Sequence, residues 1–169
     1  MTGAPGHRPE GAVADARGDD VARIRRWFQR LADHVQAVDY VGARPLFAED
    51  MIAFGTVADF LTGRDAAERE QWRNVWGRID RFRWRLDGVR AIISADRLTA
   101  AGMAVFDSTG YGEDGTPYDR PGRATVVFVR TAFGEDWVAR HTHLSLFRGV
   151  PTRSFGNKPE KKPAFEHGP

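Results

Sequence analysis

The sequence predicts an α+β fold in which N-terminal helices pack on a strongly curved antiparallel sheet, making a cone with an internal pocket. Three observations carry this. Apolar residues recur at spacings of three and four as far as Ile79, then at every second position after Asp80. The second half holds runs of β-formers such as Thr125-Val126-Val127-Phe128-Val129. The alternation slips at Asp87-Gly88, which marks a bulge or bend, and bulged strands curl. A curled sheet covered on one face by helices encloses an apolar cavity.

The elements follow in order. Residues 1–18 are rich in Gly, Ala and Pro without any period and read as a disordered tail. Asp19 and Asp20 are N-cap candidates for an amphipathic helix carrying Val21, Ile24, Phe28, Leu31, Val35 and Val38. Asp39 caps a short helix that Pro45 kinks or shortens. Met51–Gly55 and Asp59–Leu61 form a small hairpin around Gly55-Thr56. Asp65 caps a third helix with Trp72, Val75, Trp76 and Ile79 on one face. Strands then run through Phe82–Ile93, Leu98–Tyr111, Arg123–Ala132 and Trp137–Leu146, with a Gly/Asp/Pro loop at 112–122. The domain therefore spans 19–150, and 151–169 is a basic Pro/Lys-rich tail.

Composition narrows the function. The chain has 169 residues and no cysteine, which excludes disulfides, thiolate metal sites and a cysteine nucleophile. No stretch approaches the roughly 20 apolar residues of a membrane span, and Met1 to Asp20 lacks the apolar core of a secretory signal. A cytoplasmic location is the expectation. The net charge of +2 is unevenly placed. Residues 148–169 hold five basic and two acidic groups, whereas the other 147 residues hold 20 Arg and 21 Asp or Glu. A body so balanced lacks the clustered basic face of a nucleic-acid binder.

Three segments carry a family resemblance. They are Asp39–Asp50 (DYVGARPLFAED), Gly63-Arg64-Asp65 followed by Trp72 and Trp76, and the pattern W-x3-H-x-H-x-S of Trp137, His141, His143 and Ser145. In this order they resemble the nuclear transport factor 2-like superfamily, specifically its SnoaL-like branch, over about residues 19–150. The last pattern is also similar to the association domain of the calcium/calmodulin-dependent kinase II family. The resemblance implies a cone fold and, as in most of the superfamily, a homodimer through the outer sheet face. The superfamily holds isomerases, dehydratases, cyclases and non-catalytic association domains, so the fold does not select the function. It also implies that His141 and His143 approach the pocket or its rim.

Histidine, aspartate, aromatic and arginine residues mark the candidate site. His141 and His143 share a strand face by simple alternation, with Trp137, Ala139 and Ser145. Histidine titrates near neutrality, and Asp107, at the end of an apolar strand run, is the acid best placed to orient it. No nearby carboxylate completes a metal site with the two histidines in sequence, so neither a metal nor a cofactor is expected. Phe28, Phe54, Trp72, Trp76 and Trp84 are candidate pocket walls, though for each a plain core position is the stronger reading. Arg123 opens its strand after Pro121-Gly122 and is the candidate reader of an anionic substituent. Ketosteroid isomerases place a Tyr on the first helix and a base on the strand near Met51–Gly55. This chain has neither, which argues against that mechanism.

Two functions follow. One is a cofactor-independent isomerase, dehydratase or cyclase moving a proton with Asp107, His141 and His143 on a small hydrophobic substrate. The alternative is a non-catalytic module that binds a ligand or assembles into homo-oligomers.

Overall fold

The computed structural model describes residues 10–55 and 59–157, with side chains from Gly18 onward. One long helix, α1 (Glu10–Ala37), lies on a sheet of eight strands, and the short helical segments α2 (Tyr40–Ala43), α3 (Arg64–Ala67) and α4 (Arg73–Val75) close the structure beside it. The strands are β1 (Phe47–Phe54), β2 (Leu61–Thr62), β3 (Asp80–Trp84), β4 (Arg90–Ile93), β5 (Thr99–Tyr111), β6 (Pro117–Asp119), β7 (Gly122–Val129) and β8 (Val138–Leu146). The main path runs β2-β1-β8-β7-β5-β3, with β4 and β6 also pairing to β5. The α+β cone expected from the periodicity is the observed architecture.

Four details differ from expectation. The sheet is mixed rather than antiparallel throughout, because β1 pairs with β8 in parallel. Helix α1 starts at Glu10 and runs straight through the expected Asp19–Asp20 cap. Residues 10–18 of the expected disordered tail are therefore helical, and residues 1–9 lie outside the described residues. Gly63, at φ 91°, precedes α3 where Asp65 was expected to cap; Asp65 sits in the first turn and pairs with Arg44. The loop at 112–122 contains β6, whose three residues are short enough for the Gly and Pro around them to mask. Other readings hold. Asp39 caps α2 by accepting a bond from the Gly42 amide at 2.8 Å, and α2 gives way to a 3₁₀ turn at Arg44–Leu46 where Pro45 intervenes. The Asp87-Gly88 break is a 3₁₀ turn that separates β3 from β4 along the same neighbour, β5.

The core lies between α1 and the inner sheet face. Ile24, Trp27, Phe28 and Leu31 project from α1 at helical spacing and are buried. Trp27 meets Phe28, Phe47 and Phe128 edge-on, with centroids 4.9 to 5.5 Å apart, and its indole donates to the Leu46 carbonyl at 3.0 Å. Helix and sheet approach closely only because β5 carries Gly102 there. A Cβ on it would stand 2.7 Å from the Phe128 ring and 3.3 Å from Phe28.

The chain beyond β8 returns to the domain. The Tyr111 amide donates to Ser154 Oγ at 2.9 Å, and Ser154 Oγ donates to the Arg78 carbonyl at 2.5 Å. The Phe155 amide donates to the Tyr111 carbonyl at 2.9 Å. The first part of the expected tail is thus a strap, while Lys158 and all that follows lie outside the described residues.

Candidate functional site

Between α1, the helical stretch 64–78 and the curled sheet lies a small cavity of about 60 Å³. Its walls include Leu31, Val35, Phe47, Trp72, Trp76 and Trp84. The stretch 64–78 holds one π turn, Glu68–Trp72, before α4. Trp72 and Trp76 are one turn apart and stack, with centroids 5.1 Å apart and planes at 13°. Three of the five expected wall aromatics, Trp72, Trp76 and Trp84, therefore do line the cone. Phe28 does not: it is fully buried in the core against Trp84 and Phe128. Phe54 does not either, since it sits half-buried beside Phe60, His141 and His143.

The cone's polar lining consists of Gln71, Arg120 and Thr142. The two histidines are excluded by a bulge that sequence alternation cannot reveal. Val127 stands opposite His141, but its neighbour Phe128 stands opposite Ala139, so Arg140 is the extra residue. Upstream of the bulge, Trp137 and Ala139 point inward and are buried. Downstream, Thr142 and Leu144 line the cone, and His141, His143 and Ser145 pass to the outer face. His141 Nδ1 lies 2.8 Å from the Ile52 carbonyl.

Asp107 is also on the outer face. It accepts two bonds from Arg85, at 2.8 and 3.0 Å, and Arg83 stands 3.7 Å away. The bond from the Arg85 guanidinium, aided by the charge of Arg83, holds the Asp107 carboxyl below the usual aspartate value. Met103, Thr125 and His143 are level across β5, β7 and β8. Asp107 is four residues further along β5, or about 13 Å, and two strands across from His143. The expected proton-transfer trio is thus not assembled. Arg123 is exposed on the same outer face, reaching Ser145 Oγ at 3.4 Å, and so stands away from the cone mouth where the sequence placed it. With His143, Arg90 and Ser145 it borders a shallow outer depression of about 370 Å³. Among the described residues, no three His, Asp or Glu side chains come together as metal ligands.

Sequence reasoning missed Arg120. It follows β6 in the loop 112–122, outside any periodic segment, and only its neighbour Arg123 fell on a strand pattern. Yet Arg120 is 3% exposed and lines the cone. Its amide donates to the Ser108 carbonyl and its carbonyl accepts from Ser108 Oγ, both at 2.8 Å, which fixes its backbone against β5. The side chain is weakly held. Nη2 donates to the Thr152 carbonyl at 3.4 Å, and buried Nε has no partner. Burial pulls the guanidinium below the usual arginine value, opposed by the neighbouring Tyr118 hydroxyl.

Comparison with known proteins agrees with this architecture. The family profile of SnoaL-like domains matches residues 24–149. A ketosteroid isomerase-like protein from Erwinia carotovora atroseptica is similar in structure, with TM-score 0.63 and 12% identity over 76% of this chain and 96% of that one. An NTF2-like protein with a cystatin-like fold from Novosphingobium aromaticivorans gives TM-score 0.63 and 19% identity over 86% and 94%. The association domain of Caenorhabditis elegans calcium/calmodulin-dependent kinase II gives 0.56 and 17% over 78% and 96%. No curated protein matches the sequence. At these identities the structures show a shared fold, and the profile match over most of the chain shows the family: this protein is a member of the SnoaL-like domain family.

Proposed function

We propose that the cone binds a small hydrophobic molecule and that the protein acts as a ligand-binding module rather than as a His/Asp acid–base enzyme. One observation carries this choice. The cone is walled by aromatic and aliphatic side chains and its polar lining is Gln71, Arg120 and Thr142, none of which is a general base near neutral pH. Its size supports a compact ligand. About 60 Å³ holds roughly four to six water-sized groups. Backbone amide NMR during titration with pyrrole tests the reading. Shifts at Val126, Thr142 and Leu144, on the inner face, are expected. Shifts confined to Thr125, His143 and Ser145, on the outer face, would overturn it.

A second reading concerns assembly, and the outer sheet face favours it. Met103, Val105 and Val127 are half-exposed there, while Ile92 and Ile52 are 69% and 44% exposed. Such an apolar band on an otherwise charged face suits a homodimer. Val127→Glu should convert a dimer to a monomer in sedimentation velocity; a wild-type protein that sediments as a monomer at high concentration would end this reading. Among the described residues no helix is long and apolar enough to cross a membrane.

A further inference from the structure

Arg120 lines two cavities. On its other side from the cone is a second one of about 410 Å³, bordered by Glu70, Asn74, Arg78, Arg120, Arg153 and Ser154. The strap beyond β8 forms one wall of it, anchored where Ser154 bonds the Arg78 carbonyl and the Tyr111 amide. The Tyr118 hydroxyl adds a bond to the Arg153 carbonyl at 2.9 Å. The chamber is therefore built by tertiary contacts, not left by a loose loop.

Its charge is one-sided. Three arginines face one carboxylate, and that carboxylate, Glu70, is 2.7 Å from Arg69. Among the described residues, Arg78, Arg120 and Arg153 have no acidic side chain within ion-pair distance. Arg153 lies over the Phe155 ring at 4.5 Å. Arg120 is the telling member. A buried guanidinium normally pairs with a carboxylate, since removing its charge from water is costly. Here, among the described residues, no carboxylate supplies the counter-charge, at a residue that with Val75 borders both the apolar cavity and the basic chamber.

We infer that Arg120 is the anion anchor of a composite site that takes a small apolar carboxylate, its body in the cone and its carboxylate turned to Arg120 and the chamber of Arg78 and Arg153. The planar guanidinium fork matches a carboxylate, and a neutral ligand would leave the charge uncompensated. The inference rests on the cone being a ligand site and adds the chemical class of the ligand. It also supplies the anionic substituent that Arg123, on the outer face, cannot read.

The experiment is calorimetric titration with two probes of similar size, benzoate and benzyl alcohol. The wild type should bind benzoate at least tenfold more tightly, with affinity falling as NaCl rises from 50 to 500 mM while that for benzyl alcohol does not. Arg120→Met should bring the two affinities to within about twofold, and Arg120→Lys should keep part of the preference. Equal binding of both probes by the wild type, with no salt dependence, would overturn the anchor and leave the cone reading standing. So would an Arg120→Met protein that keeps its benzoate preference. Binding of neither probe would overturn both. The wild-type comparison needs no variant to fold.

Discussion

Two buried arginines lie beyond opposite ends of β7, and they are solved differently. Arg130 is 6% exposed and bonded throughout. It donates to Asp20 at 2.9 Å and to the Arg97 carbonyl at 2.8 Å, and its guanidinium lies 4.1 Å from the Trp137 ring centre. Asp20, itself fully buried, also accepts from Arg97 at 2.6 Å. This cluster ties α1 to the turns flanking β5 and β7. Arg120, buried as deeply, has a long bond to the Thr152 carbonyl, the Tyr118 hydroxyl beside it and no carboxylate among the described residues. The first arrangement is complete without a ligand, as a structural tie should be. The second is incomplete among the described residues, which is what a recognition site requires.

The largest effect should come from breaking the complete cluster. Asp20→Asn leaves Arg130 buried without its counter-charge, a change that costs about 3–5 kcal/mol. For a domain of this size, thermal unfolding should fall by on the order of 10 °C. The reverse is expected at the other site. Arg120→Met removes an uncompensated charge and puts an apolar side chain against the cone, so stability should rise by about 1 kcal/mol or more. Differential scanning calorimetry of both variants checks the contrast directly. A loss at Arg120 as large as that at Asp20 would make it a structural tie and remove the physical ground for ligand recognition.

That contrast also explains what was legible beforehand. Periodicity located α1, the long strands and the inward aromatics Trp72, Trp76 and Trp84, because burial imposes a repeat on side-chain polarity. It failed at Arg140, since one inserted residue reverses every later side chain and leaves the composition of the strand unchanged. His141 and His143 were placed with Trp137 for that reason alone. Arg120 and Asp20 were illegible for another reason. Each is an isolated polar residue whose burial is decided by partners distant in sequence, 110 residues away in the case of Asp20 and Arg130. No local pattern records such a contact.

Smaller effects belong to the outer face. Asp107 pairs with Arg85 where solvent has access, so Asp107→Asn should cost only about 0.2–1 kcal/mol. The pH dependence has a definite sign. The folded-state carboxyl titrates below its unfolded value, with the Arg85 bond as the leading favourable cause. Its contribution is therefore full above the unfolded aspartate pKa of about 3.9 and disappears as pH falls through the lower folded value. Urea unfolding at pH 6 should separate wild type from Asp107→Asn, and the gap should close towards pH 2.5. A gap that widens on acidification would show that the pair does not act as the geometry implies.

The smallest effect should come from the residue that sequence made most prominent. His143 is exposed on β8, past the bulge, with the ring of Phe54 at 5.4 Å. Truncating it removes an edge contact and leaves the cone wall intact, because Thr142 and Leu144 on either side of it are the residues that face inward. His143→Ala should change stability by no more than about 0.5 kcal/mol, and benzoate affinity should stay within twofold of wild type. The comparison with Arg120→Met then becomes sharp: two substitutions on neighbouring elements, one abolishing carboxylate preference and raising stability, the other doing neither. A His143→Ala protein that lost benzoate binding would mean that β8 adopts the unbulged register in solution, turning the histidines inward and restoring acid–base chemistry as the leading account.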